Sequence, residues 1–153
     1  MLTKDYLKSE DIELINEILQ EHQEGFKDSK GVRSKQGLNG RTSIFETMKY
    51  FDMPVDVREA VDSVLPLSEV KEALEVYFLR FPEGGFLDDY KAIPTCFLEC
   101  KAVLLSDVAT VTVSGLKHTM IKGYTITIPL KEIHSVANAP YLTDFLVLLK
   151  IKK

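Results

Sequence analysis

The alternation of apolar and polar positions divides the chain at about residue 75. Before it, "SEDIELINEILQEH" opens with Ser9 as an N-cap, places acids in the first turn and repeats Ile12, Ile15, Ile18 and Leu19 at helical spacing. It predicts an amphipathic helix. Ser43 is expected to cap a second helix, "IFETMKYF". Pro54 is expected to open a third, "VDVREAVDSVL", with Val57, Val61 and Val64 or Leu65 turned inward, and Ser68 to cap one further turn. After Glu75 the period shortens to two: "VYFLRF", "CFLECKAVLL", "VATVTVSG", "GYTITIPL" and "DFLVLLKI" read as strands separated by glycine, proline and serine turns. Helices followed by short, evenly spaced strands predict an α+β fold. In it an antiparallel sandwich or small barrel (75–153) is braced by a helical front (1–74) within one domain.

Between the first two helices, "QEGFKDSKGVRSKQGLNGRTS" has four glycines and few apolar residues. Residues 23–40 are therefore expected to form a long, exposed and mobile loop outside the core.

Composition narrows the classes. The chain has 153 residues, 45% hydrophobic and 27% charged, which is the size and balance of one globular domain. No apolar run is long enough to span a bilayer and "MLTKDYLKSEDIEL" lacks a signal-peptide pattern, so a cytoplasmic protein with no membrane partner is expected. The net charge of −4 argues against nucleic acid as a partner, although "KDSKGVRSKQGLNGR" and the terminal "KIKK" are locally basic. Cys96 and Cys100, two pleats apart on one strand face, read as reduced thiols and not as a disulfide or a zinc pair. Walker, GxGxxG and G-x-S-x-G patterns are absent.

The stretch "KGYTITIPLKEIHSVANAP" carries the most specific signal. Gly123, Pro129, His134 and Asn138 fall in register with the second motif of the cupin superfamily, G-x5-P-x-G-x2-H-x3-N, with Lys131 at the second glycine. The first motif, G-x5-H-x-H-x3-4-E-x6-G, is matched only in part, with Gly85 near its start, Glu99 at its glutamate and Ser106 at its closing glycine. The segment "DDYKAIPTCFLE" offers Asp88, Asp89, Tyr90 and Cys96 where the family has its two histidines. The sequence thus resembles the cupins, which implies a double-stranded β-helix, or jelly-roll barrel, with His134 turned inward. Arg41 and Ser43, then "VYFLRFPEGGFLDD" and a distal histidine, give a fainter resemblance to 2-oxoglutarate, iron-dependent hydroxylases. Their H-x-D motif is missing, since no histidine lies between His22 and His118, and "YLTDFLV" stands where they carry a basic residue that clasps 2-oxoglutarate.

Cupin metal sites join first-motif histidines and the glutamate to the second-motif histidine. The resemblance therefore leaves His134 and Glu99 as metal candidates, two ligands and too few to hold iron or zinc tightly without help; His118, Asp88 or Asp89 could be recruited, and iron, manganese, nickel or zinc is the metal such a site would take. An imidazole so placed is expected to be held by a hydroxyl, a backbone carbonyl or Glu99. Metal-free cupin isomerases and epimerases use a histidine and a tyrosine as acid and base, and Tyr90 and Tyr124 are the tyrosines available to His134. The expected function is a cupin-like module with a degenerate metal site that binds a small molecule or a protein partner, without a cofactor and with a homodimer as one form of assembly. The alternatives are an oxygenase-like or metal-free sugar-modifying enzyme, and a structural or assembly protein.

Overall fold

The computed structural model describes residues 2–4, 6–28, 36–91 and 98–151. In chain order the strands are β1 (Leu2–Thr3), β2 (Lys27–Asp28), β3 (Glu46–Lys49), β4 (Glu75–Phe81), β5 (Leu87–Tyr90), β6 (Leu98–Leu104), β7 (Val108–Val113), β8 (Leu116–Ile121), β9 (Thr125–Pro129), β10 (His134–Val136) and β11 (Thr143–Ile151). The helices are α1 (Ser9–Gln20), α2 (Val55–Val64) and α3 (Leu67–Glu72). Every strand pair is antiparallel. A seven-stranded sheet runs β1-β9-β6-β11-β4-β3-β2, and a four-stranded sheet runs β5-β10-β7-β8.

The two sheets face each other as a jelly roll. Strand β11 lies centrally between β4 and β6, and its "FLVLL" run is apolar at every position because both of its faces are covered. Phe145 and Val147 turn inward to a core with Phe81, Leu104, Met120 and Ile126. Leu146 and Leu148 turn outward to a second core built with Ile12, Ile15, Leu19, Val57 and Val61. The helical front is therefore packed on the large sheet, as the periodicity predicts for α1 and α2. Ser9 is the first residue of α1 and not its cap, which is Lys8, and Ser68 lies within α3, whose cap is Pro66.

Three sequence expectations change. "IFETMKYF" forms strand β3 and a 3-10 turn over Tyr50–Asp52, because pairing with β4 through Met48 and Phe78 outweighs its mild helical preference. Ser43 is buried, and its Oγ accepts the Asp88 backbone N–H at 2.9 Å. The expected exposed loop at 23–40 is ordered at both ends among the described residues. Phe26 enters the outer core, Lys27 and Asp28 pair with β3, and residues 36–40 fold against β5, while residues 29–35 lie outside the described set. The remaining strands, β5, β8 and β10, are too short or too polar to stand out by alternation.

On the outer face of the large sheet, the cross-strand pair Arg80 and Asp144 is buried. Arg80 Nε donates to Asp144 Oδ1 at 2.7 Å and one terminal nitrogen to Oδ2 at 3.0 Å, and the other terminal nitrogen donates to Gln23. The guanidinium lies 3.7 Å from the Phe26 ring centroid. This bidentate geometry ties the segment after α1 to the centre of the sheet. Among the described residues no helix is long and apolar enough to cross a membrane.

Ile12 and Ile15 are 2% and 1% exposed, so truncating either to alanine should cost about 2 to 5 kcal/mol. Urea denaturation of the variants should show the midpoint falling with an unchanged slope.

Candidate functional site

Between the sheets lies a cavity of about 150 Å³. Its wall is mostly apolar, with Ile126, Ile128, Val147 and Leu149 from the large sheet and Val111 and Val136 from the small one. Polar groups enter it from Asp88, Tyr90 and His134 on the small sheet and from Lys49, Glu75 and Tyr77 on the large one.

His134 begins β10, where it pairs with Tyr90 of β5 on one side and Val113 of β7 on the other. The residue is 8% exposed and its side chain lines the cavity, as the cupin register implies. Nδ1 donates to the Glu132 carbonyl at 3.0 Å, and because a carbonyl only accepts, Nδ1 carries a proton. Tyr90 meets the imidazole edge to face, with centroids 5.7 Å apart and planes at 82°. Asn138, the last residue of the motif, reaches the glycine turn before β5, donating to the Gly84 carbonyl at 3.0 Å. Gly123 lies in the turn before β9 with φ of +92°, a conformation that excludes most side chains, and Pro129 closes that strand.

Asp88 is the cavity's buried carboxylate, with a side-chain exposure of 0%. Its Oδ2 accepts the backbone N–H groups of Asn39 (3.1 Å) and Arg41 (3.3 Å), and Oδ1 accepts Asn39 Nδ2 (3.0 Å) and the Arg41 guanidinium (3.1 and 3.3 Å). Burial alone would push the carboxyl up, but the Asn39 and Arg41 hydrogen bonds outweigh it and lower its pKa to about 2. The loop approaches so closely that a Cβ on Gly37 would overlap the carboxylate.

The other sequence candidates do not converge on His134. Glu99 lies on β6 with a parity opposite to the cavity-lining Cys100 and Ala102, so it faces outward, 3.7 Å from Lys150 Nζ. The expected pairing of Glu99 with His134 is therefore not formed. Tyr124 precedes β9 at the end of that strand away from His134 and packs on the inner core from its margin. Asp89 accepts Asn39 Nδ2 at 2.8 Å. His118 is half-buried on the edge strand β8, opposite Val111, and does not line the cavity. Cys100 lines the cavity, while Cys96 lies outside the described residues. Lys49, Glu75 and Tyr77 were missed by motif reading. Their signal is the strand parity that puts Lys49 opposite Tyr77 on the inner face.

Among the described residues, the group of three metal-capable side chains whose ligand atoms lie within 4.8 Å of one another is Glu21, His22 and Asp56, on the helical front and outside the barrel. There His22 Nε2 meets Asp56 Oδ2 at 2.9 Å, and that hydrogen bond raises the histidine pKa and lowers the aspartate's.

Comparison with solved structures assigns the architecture. A prolyl-4-hydroxylase from Pseudomonas putida superposes with a TM-score of 0.65 over 99% of this chain and 92% of its own, at 12% identity. KdgF from a Halomonas species gives 0.54 over 99% and 96%, at 9% identity, and a predicted oxalate decarboxylase from Thermotoga maritima gives 0.50 over 71% and 81%, at 14% identity. The fold is a cupin-like jelly roll. The likeness to the oxygenases that share its double-stranded β-helix also holds at the level of fold. No protein-family model and no curated protein sequence matches the chain.

Because Asp88 titrates at about 2 when folded against about 3.9 when unfolded, it binds its proton more weakly in the folded state. Its contribution is complete above about pH 4 and is lost as pH falls toward 2. Asp88→Asn should therefore flatten the acid limb of a stability-against-pH curve between about pH 4 and 2, measured by thermal melting.

Proposed function

We propose that this protein is a cupin-like ligand-binding module with a degenerate metal site, acting on the small-molecule class of partner and not as a standard metalloenzyme. The observation that carries the reading is the donor set around His134. Its cross-strand neighbour is Tyr90, which supplies no imidazole or carboxylate. Asp88 is fully engaged by Asn39 and Arg41, and Glu99 is turned to the opposite face. Among the described residues, one imidazole and a carboxylate already satisfied by Asn39 and Arg41 do not make a three- or four-ligand site for iron, manganese, nickel or zinc. The described residues do not fit the metal that cupin sites hold. What they do form is a largely apolar cavity with a few convergent polar groups, the usual form of a small-ligand site. An apolar cavity of this volume admits a molecule of about benzene's size.

A second reading, a metal-free acid–base enzyme, draws on the contact between the Tyr90 and His134 rings inside the barrel. It requires a proton exchanged with a bound substrate, so turnover that disappears in both Tyr90→Phe and His134→Gln would favour it.

Two measurements test the proposal. Protein purified without added metal should contain well under one equivalent of any transition metal, and His134→Gln should leave that content unchanged. Titration with benzene, followed by amide resonances, should give saturable shifts at Val111, Ile126 and Val147. A stoichiometric metal lost in His134→Gln, or no shift at those residues, would overturn it.

A further inference from the structure

Lys49 carries information that the cupin motifs do not. It ends β3, a strand that pairs beyond β4 at the side of the sheet, and its Cα partner is Tyr77. Both side chains line the cavity, and Lys49 is only half-buried. Among the described residues, the other charged side chains of the wall are Asp88 and Glu75. Asp88 is matched by Arg41, so that pair brings no net charge, and Glu75 stands exposed at the first residue of β4, where water screens it. Lys49 has no acidic partner within 4.0 Å among the described residues. It thus brings an unmatched ammonium to a wall otherwise made of Ile126, Val147 and their neighbours.

A partly desolvated cation beside an apolar chamber is stabilised by an anion that arrives with an apolar body. We infer that the barrel's ligand is a small carboxylic acid. Its carboxylate would be held by Lys49, and its hydrocarbon body, of about benzene's size, would lie among Val111, Ile126 and Val147. This rests on the ligand-binding reading above and adds the charge of the ligand and the residue that selects it. The recognising cation comes from β3, and position 144 on β11, near where the oxygenases carry their basic residue, is Asp144, already bound to Arg80.

Benzoate and benzamide share a body and differ in charge, so they separate this inference from the broader one. By calorimetry at low salt and pH 7, benzoate should bind at least tenfold more tightly than benzamide. Lys49→Met should abolish that preference while changing benzamide affinity by less than twofold. Equal binding of the two probes by the unaltered protein, or a preference that survives in Lys49→Met, would overturn the carboxylate assignment and leave the ligand-binding reading standing. Failure of both probes and of benzene would remove both. Should Lys49→Met fail to fold, the unaltered protein decides alone: the benzoate preference must shrink in 1 M sodium chloride, and a preference insensitive to salt would overturn the assignment.

Discussion

A carboxylate with no solvent exposure cannot remain ionised inside a barrel unless other groups replace its lost water, and Asp88 sets that condition for much of this molecule. The groups are supplied from far away in sequence, by the Asn39 and Arg41 backbone and side chains. Meeting the condition fixes the 36–41 loop against β5, requires a glycine at 37, and draws the Ser43 hydroxyl onto the Asp88 backbone N–H. The same bonds decide the chemistry of the cavity. A carboxylate that already accepts from a guanidinium, a side-chain amide and two backbone N–H groups has little capacity left for a further cation.

The helical front and the barrel are coupled through a different polar device. Arg80 and Asp144 face each other across β4 and β11 on the side of the sheet away from the cavity, and Gln23 and Phe26 close over the guanidinium. An ion pair so enclosed contributes little net stability over an apolar replacement, but breaking it by removing one partner leaves a buried charge. Its value lies in register. Ser106 Oγ accepts the Asp144 backbone N–H at 2.9 Å, so the start of β11, the segment after α1 and the turn after β6 meet at one point.

Much of the fold was legible in the sequence because its strongest patterns were local. The spacing of Ile12, Ile15 and Leu19 marked α1, and the period-two runs marked β4, β6, β7, β9 and β11. Four residues of the second cupin motif located His134 at the start of an inward-facing strand. Strand β3 was misread because Glu46, Met48 and Lys49 tolerate a helix equally well and only the pairing with β4 decides between them. Strand β8 was hidden because a single residue, Met120, is fully buried on it. The site was less legible than the fold. Glu99 matched a motif position yet falls on the wrong face, since one residue of strand parity reverses a side chain. Asp88 looked available because its partners lie 47 and 49 residues earlier, in a segment whose glycines and polar residues suggested mobility.

The Asp88 cage also bears on how this barrel could be re-engineered. Installing a metal centre would ordinarily begin by placing a second imidazole beside His134, for instance at position 90. Here that exchange would be blocked at its neighbour, because the nearest buried carboxylate cannot turn to a cation without releasing Arg41 and leaving the 36–41 loop with unsatisfied N–H groups. Changes at 37, 39 and 41 would have to accompany those at 88 and 90, each harmful until the others were made. Recruiting Asp88 to a cation is in that sense a change of several simultaneous steps and not of one.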